Sequence, residues 1–572
     1  MSLPEFDVRT MPFSRRGSWL DLSPVVGLHD ARDDIHLVSH QNGMHPIFRV
    51  TVSSRDSSRP GLQLTADPSR LRWSTADTTV EAAFESTDTV RFRGDTPATF
   101  HDAADGLTPF TGSYLFVDPI DGAAVLTSYE TGRRYRVSLL AGAWTVTGDQ
   151  LLGAGTRSVA IEGADGGVWE VAVEEFETTR PPYAVVRTFD DTVTQVADEY
   201  TAYADAIAPW RSPTDAGASA AYLLWSATVA PRGFVRREAI LMSKHWMDKV
   251  WSWDHCFNAL ALASGLPHEA LDQFLVVFDQ QDQYGGLPDS VTHSEILDNY
   301  VKPPIHGWAF RQLRSRLATP LTREQLDEVH DRLGRWTTFW LDHRRVPGHA
   351  LPHYQHGNDS GWDNSSIFDL DRVLEAPDLA AFLMIQLDVM AELSDELGRP
   401  AARWRDERQR VMAALMELRE GDAFVGRHPL TGRESTATSL LNLMPIVAAD
   451  ALPGEVGEAL ADALRQYLTR WGLATERPDS ELYEDDGYWR GPIWAPSTIL
   501  IEDGLRRAGH TELADDVSER FRALCEASGF AENFDALSGA GLRDRAYTWT
   551  ASAYLLLSAQ AHERHGNAPA AD

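Results

Sequence analysis

The sequence predicts a multidomain α and β protein, an N-terminal β-sandwich followed by an (α/α)6 toroid. Two observations carry this prediction. The hydrophobic period changes from strand-like to helical near residue 200, and beyond that point the connections between helices alternate between long and short. Composition permits such a fold: 43% of the 572 residues are hydrophobic and 10% aromatic, so each domain can bury a core and wholesale disorder is excluded.

Between about residues 36 and 190, short β-rich runs are separated by turn residues. Examples are Ile47-Phe48-Arg49-Val50-Thr51-Val52, Thr89-Val90-Arg91-Phe92-Arg93, Tyr114-Leu115-Phe116-Val117 and Val168-Trp169-Glu170-Val171-Ala172-Val173. Many such runs at close spacing predict a sandwich, and dipeptides such as Asp121-Gly122 read as hairpin turns. The first domain is drawn as residues 1–195 and the second as residues 196–572.

In the second domain, apolar residues fall on helical faces, as with Leu271, Phe274, Leu275 and Phe278, or Leu326, Val329, Leu333, Trp336 and Trp340. Twelve helical stretches start near residues 218, 254, 268, 303, 321, 377, 400, 436, 454, 496, 511 and 546. Long connections lie at about 231–253, 282–302, 344–376, 420–435, 471–495 and 529–545, with tight ones between, such as Gly398-Arg399-Pro400. In a closed ring of antiparallel helix pairs, alternate connections share one end, so the six long loops converge on one mouth. A rigid scaffold that presents six loops builds a deep pocket, and the active site is expected there.

Charge narrows the function. With 52 Lys and Arg against 84 Asp and Glu, the net charge of −32 repels phosphate backbones and anionic lipid, which argues against nucleic-acid and membrane partners. Apolar runs such as Phe274-Leu275-Val276-Val277-Phe278 are far shorter than the ~20 residues of a membrane span. The stretch Met1-Ser2-Leu3-Pro4-Glu5-Phe6-Asp7 lacks the basic flank and apolar core of a secretion signal. Only two cysteines occur, Cys256 and Cys525, which suits a reducing compartment, and a cytoplasmic location is expected.

Every long loop except the fourth combines aromatic and acidic residues: Trp253-Asp254, Pro288-Asp289, Trp362-Asp363, Glu484 through Trp494, and Phe530 through Asp535. Sugars present apolar C–H faces and a rim of hydroxyls, so this composition suits a small-molecule carbohydrate. Glycosidic cleavage needs one protonated and one ionised carboxyl. Asp363 and Glu532 are the candidates, each in a loop with small residues and beside an aromatic, Trp362 or Phe530, that can desolvate it. Asp254 reads equally well as a helix cap or a substrate contact. No cofactor and no metal are expected: His353 and His356 lack a HExxH pattern, the run Glu484-Asp485-Asp486 lacks calcium-loop spacing, and no phosphate-binding or dinucleotide motif occurs in a supporting context.

The order Trp253-Asp254, Gly361-Trp362-Asp363-Asn364-Ser365, Tyr488-Trp489-Arg490-Gly491-Pro492-Ile493-Trp494 and Glu532-Asn533-Phe534-Asp535 resembles glycoside hydrolase family 63 and its (α/α)6 relatives, among them trehalases and the mannosylglycerate and glucosylglycerate hydrolases. The resemblance covers roughly residues 245 to 560. It implies an inverting α-glycosidase with Asp363 as general acid and Glu532 as general base. It also implies a sugar subsite lined by Trp253, Asp254, Trp362, Tyr488, Trp489, Arg490 and Trp494. Pro303-Pro304-Ile305-His306 is similar to a P-P-x-H segment of the family, which brings His306 into the set. The chain departs from the family around the acid, where Asp359-Ser360-Gly361 and Ser365-Ser366 stand in place of a Glu-Ser-Gly lead and a Ser-Pro exit.

Glycerate-type relatives are small and mostly bare toroids, whereas relatives acting on oligosaccharides commonly carry an N-terminal sandwich. The expected function is therefore an exo-acting, α-glucosidase-like hydrolase of a small α-linked glycoside. A glycosylglycerate or trehalase-type hydrolase is the alternative. Behind these stand a glycoside phosphorylase, a sugar epimerase using His255 or His306, and a non-catalytic sugar-binding protein.

Overall fold

The computed structural model describes residues 3–25, 32–53, 62–104, 112–150, 155–212 and 216–566. The chain forms two compact units. One comprises residues 1–249 with the short return 292–295, and the other residues 250–291 and 296–572.

The first unit holds two large antiparallel sheets and a short two-stranded one, Thr228–Val229 with Ala239–Ile240. The six-stranded sheet runs, in spatial order, Leu20–Val25, Arg32–Ser39, His45–Val52, Ala98–Asp102, Ser158–Glu162 and Ala143–Thr147. The eight-stranded sheet runs Gln63–Asp67, Arg70–Ser74, Thr79–Ser86, Thr89–Gly94, Trp169–Phe176, Arg133–Ala141, Ala124–Ser128 and Ser113–Val117. Each β-rich run singled out in the sequence lies in one of these strands, except that Val168 falls one residue before the strand Trp169–Phe176. Phe92 of one sheet meets Phe100 of the other edge to face at 4.9 Å, and Leu37, Phe48, Val80, Val137 and Trp169 are buried with them. Asp121-Gly122 is a turn as expected, closed by the Gly122 amide donating to the Asp118 carbonyl at 2.8 Å, with Gly122 at φ +74°.

Two helices also belong to this unit, α1 (Phe189–Ile207) and α2 (Ala216–Ala227). The boundary therefore falls at Lys249, later than residue 195. Packing explains the difference. Helix α1 lies on the strand Thr79–Ser86, Glu199 of α1 pairs with Arg15 at 2.6 Å, and the Tyr222 hydroxyl of α2 donates to the Pro12 carbonyl at 3.0 Å. A change of period marks a change of element, and these helices cover a sheet instead of opening the next domain. A buried polar centre in the same unit has His40 between Asp21 at 2.6 Å and Asp248 at 3.1 Å. Burial opposes the charge on His40, but hydrogen bonds to the two carboxylates outweigh it and hold the imidazole at about 9.

The second unit is helical. Its elements are α3 (His255–Leu262), α4 (Pro267–Leu275), α5 (His306–Arg316), α6 (Arg323–His343), α7 (Pro377–Leu397), α8 (Ala402–Met416), a 3-10 segment (Leu440–Ala451), α9 (Gly454–Leu464), α10 (Ala495–Arg507), α11 (Thr511–Ser528) and α12 (Thr548–Gly566). With α2, these are the twelve helical stretches expected, each starting within four residues of its anticipated position. Helix α1 was not anticipated, although Thr188 and Asp191 form a capping box at its start. The eighth stretch is a 3-10 segment because Pro445 inside it has no N–H to donate, and the backbone kinks at Ala448.

Six of these elements pack in a closed cycle: α3 on α5, α5 on α7, α7 on the 3-10 segment, that segment on α10, α10 on α12, and α12 back on α3. Helices α4, α8, α9 and α11 pack against α3, α7, the 3-10 segment and α10, and α6 against α7. Inner elements such as α3 and α7 are buried on nearly every side, and α6 and α11 keep charged outer faces. Among the described residues no helix is long and apolar enough to cross a membrane.

Candidate active site

The long loops of the helical unit meet around a cluster of carboxyl groups. Trp253 and Asp254 enter from the first loop. Asp254 stands before α3 in helical conformation and makes no side-chain cap bond, and its Oδ2 is buried without a hydrogen-bond partner. Asp254 therefore does not cap the helix with its side chain. Burial pushes its carboxyl up to about 8, against the pull of Lys302.

Asp363 sits on a loop fastened at several points. The carboxylate of Asp359 accepts from the Val301 amide at 3.1 Å, from Arg344 at 2.7 Å and from the Gln355 amide at 2.9 Å, so the residue that departs from the family's Glu is the anchor of the loop. Gly361 follows at φ +74°, and the Trp253 ring lies so close that a Cβ there would fall 2.5 Å from Trp253 Cζ2. Asn364 clips the fifth loop, donating to the Gly487 carbonyl and accepting from the Trp489 amide, both at 3.0 Å. The clipped residue between them, Tyr488, takes φ +62°. Asp363 itself is 29% exposed and lines a cleft of about 470 Å³ with His356, Asn364, Arg372 and Arg490. Burial pushes its carboxyl above the usual carboxylate range, Lys302 at 3.7 Å pulls it back, and Asp289 adds to the rise.

Glu532 comes from the last loop, which is tied to the fifth by reciprocal amide bonds between Ile493 and Phe534 at 2.7 and 3.0 Å. Its side chain is 2% exposed. Burial, reinforced by Asp544, pushes its carboxyl up to about 8, while a hydrogen bond with Tyr488 and the Arg543 cation oppose the rise. Tyr488 feels both Glu532 and Asp363, and Glu532 feels Asp363, so the two candidates share one electrostatic environment. The sequence anticipates Glu532 ionised and Asp363 protonated. Both carboxyls are raised, chiefly by burial.

The remaining candidates divide. Trp253, Trp362, Trp489, Trp494 and the unanticipated Trp549 form one buried aromatic cluster. Trp489 and Trp494 stack at 3.9 Å and 7°, and Trp362 lies 4.7 Å from Trp489. These rings brace the loops by covering one another's faces. Arg490 grips Asp369 with two guanidinium nitrogens and donates to the Asn364 carbonyl at 2.8 Å, which holds the acid loop. His306 does not face a ligand. Its Nδ1 accepts from Trp336 at 3.2 Å, its Nε2 donates to the Ser252 carbonyl at 2.9 Å, and burial lowers its pKa to about 4. The expectation of a substrate contact at His306, and an epimerase built on it, is corrected accordingly: the ring is a neutral pin for the loop that carries Trp253.

Sequence reasoning missed Lys302, Arg543, Asp544 and Tyr547, and it named Asp289 only as an acidic residue of the second loop. Lys302 is buried, with its Nζ 3.2 Å from Asp289 and 2.9 Å from the Asn358 carbonyl. Composition held a signal for it, because lysine occurs at only three positions, 244, 249 and 302, among 52 basic residues. Among the described residues no group of three or more His, Cys, Asp or Glu side chains is arranged to hold a metal ion. Cys256 and Cys525 are free and buried.

Raised carboxyls in an aromatic-braced mouth of converging helical loops are the equipment of a glycoside hydrolase, and comparison with known proteins places the chain in that class. Residues 247–550, more than half of the chain, match the mannosylglycerate hydrolase MGH1-like glycoside hydrolase domain, and the chain belongs to this family. A mannosylglycerate hydrolase of Rubrobacter radiotolerans is 24% identical over 410 residues, spanning 53% of this chain and 89% of that protein. A glucosylglycerate hydrolase of Mycolicibacterium hassiacum is 21% identical over 446 residues, spanning 61% of this chain and 98% of that protein. The crystal structure of a family 63 mannosylglycerate hydrolase from Thermus thermophilus in complex with glucose aligns with a TM-score of 0.54 at 21% identity, over 59% of this chain and 99% of that one. These agree with the resemblance to glycoside hydrolase family 63.

Proposed function

We propose that this chain is an inverting, exo-acting α-glycoside hydrolase of small glycosides with an anionic aglycone, of the glycosylglycerate type. Its architecture is an (α/α)6 toroid carrying an N-terminal β-sandwich. Asp363 protonates the leaving oxygen, Glu532 takes a proton from the attacking water, and Asp254 accepts a sugar hydroxyl. The observation that supports the reading is that Asp363 and Glu532, 169 positions apart in the sequence, both act on Tyr488 and help hold its hydroxyl protonated. The productive form has the proton on Asp363 and the charge on Glu532.

The preference for an anionic aglycone over an α-glucoside rests on the cleft beside Asp363 and on the names of the relatives. Arg372 lines that cleft, and its guanidinium meets the imidazole Nε2 of His356 at 2.9 Å. Arg433 and Arg490, by contrast, are each neutralised by an aspartate. Arg372 makes no ion pair within 4 Å among the described residues, although Asp363, Asp369 and Asp371 line the same cleft, and its guanidinium is suited to a carboxylate. The reducing compartment suggested by the cysteines favours the cytoplasm.

The test is hydrolysis of α-mannosylglycerate, α-glucosylglycerate, trehalose and maltose, followed by proton NMR. Cleavage of a glycerate glycoside with the β-anomer appearing first is the expected result. Cleavage confined to the neutral disaccharides would restore the α-glucosidase reading, and an α-anomer appearing first would exclude inversion.

A further inference from the structure

Lys302 has no place in the reaction as described so far, yet it stands against the acid. The chain uses arginine almost everywhere for positive charge, with lysine at three positions only. Position 302 is 5% exposed, where a compact ammonium fits and a planar guanidinium needs more room. Two of its contacts fix it: Asp289 Oδ1 at 3.2 Å and the Asn358 carbonyl at 2.9 Å, the latter on the acid loop itself. Its neighbour Val301 donates to Asp359 at 3.1 Å, so residues 301 and 302 form a double attachment to that loop. The ammonium then faces Asp363 Oδ1 at 3.7 Å.

We propose, on the basis of the acid role given to Asp363 above, that Lys302 is a positioning residue for the acid: it holds the Asp363 carboxyl in place and compensates the charge that appears there when the proton leaves. In the step, the Asp363 proton moves to the glycosidic oxygen as the bond from that oxygen to the anomeric carbon breaks. Water adds to the carbon and its proton passes to Glu532. Asp363 is left as a carboxylate in a half-buried setting, where an unpaired charge is costly. Lys302 makes that carboxylate tenable, and the Asp289 carboxylate on its other side keeps the lysine charged. Burial opposes that charge, but Asp363, Asp289 and Asp254 outweigh it and keep the ammonium above its ordinary value. The other groups facing Asp363 are His356 and Asp289, with Asp254, Glu532 and Tyr488 across the pocket.

Lys302→Met and Lys302→Gln remove the charge, and the glutamine keeps a donor for Asn358. Each is assayed from pH 4 to 10 on the glycerate glycoside that the wild type cleaves faster, and on the corresponding α-glycosyl fluoride, whose leaving group departs without a proton. The variants should move one limb of the kcat/KM profile to higher pH by about 1–3 units and leave the other in place. They should lose about tenfold or more in kcat on the glycoside and stay within about threefold of wild type on the fluoride, because only the glycoside needs an acid. Unmoved limbs, limbs that move together, or equal losses on both substrates would overturn the proposal. Asp363→Asn separates the two claims. If it cleaves the glycoside normally, the acid assignment itself fails. If it is inactive on the glycoside while the Lys302 variants keep the wild-type profile, only the role of Lys302 fails. Should the methionine variant not fold, the glutamine variant carries the test.

Discussion

Arg372 meets the Nε2 of His356 where its neighbours Arg433 and Arg490 hold aspartates, and this difference is the basis for expecting a charged leaving group. Replacing Arg372 by alanine should raise KM for a glycerate glycoside about tenfold or more while leaving KM for a neutral α-glycoside or glycosyl fluoride unchanged, since a charge-assisted bond contributes about 1.5–3 kcal/mol. Steady-state kinetics on both substrate types check this, and equal effects on the two would remove the anionic specificity. At this scale the sequence was partly legible. The acidic and aromatic loops pointed to Asp254, Asp363 and Glu532, because those residue types are what the chemistry requires. His306 misled, because a histidine beside a helix start looks the same in sequence whether its nitrogens face a ligand or a backbone carbonyl. Lys302 was marked in sequence only by the rarity of lysine, because its meaning comes from Asp289 and Asp363, residues that only the fold brings to it.

The loops act as braced elements, and the acid loop shows how. Asp359 pins it at one end, Asn364 clips it to the fifth loop at the other, and Gly361 makes the bend between them with the Trp253 ring against its Cα. Alanine at position 361 meets two penalties, a left-handed backbone and a Cβ inside the Trp253 ring. Gly361→Ala should therefore destabilise the fold by about 2–4 kcal/mol and reduce turnover, measured by thermal unfolding and by kcat. A melting temperature equal to wild type would show that the bend is not fixed by this contact. Alternating loop lengths revealed the ring of helices, since helix starts follow from caps and apolar stripes that are local in sequence. The edge of the first domain was not local. Helices α1 and α2 carry ordinary amphipathic stripes, and only their contacts with Arg15, Pro12 and the strand Thr79–Ser86 assign them to the sheet unit.

Over the whole molecule, buried titrating groups tie stability to pH. The His40 imidazole has a folded value of about 9 against an ordinary 6.5, so its contribution is fully present below pH 6.5 and is lost as pH rises through 9. The shift corresponds to roughly 3 kcal/mol. The stability difference between wild type and His40→Gln, from urea unfolding of the full chain, should be largest near pH 6 and narrow progressively towards pH 9. A difference independent of pH would mean that His40 is not charged between Asp21 and Asp248. Taking the difference isolates this group from Lys244, whose burial lowers it to about 7 and which acts in the opposite direction.

The pairing of Asp363 with Glu532 is the claim on which the mechanism depends, and the most direct measurement compares Asp363→Asn and Glu532→Gln on a glycerate glycoside and on the matching α-glycosyl fluoride. Both variants should lose about 10²–10⁴-fold on the glycoside. On the fluoride, Asp363→Asn should keep most of its rate, because no proton donor is needed, and Glu532→Gln should remain inactive, because water still needs a base. The reverse pattern would exchange the two roles, and near-normal hydrolysis of the glycoside by either variant would contradict the account.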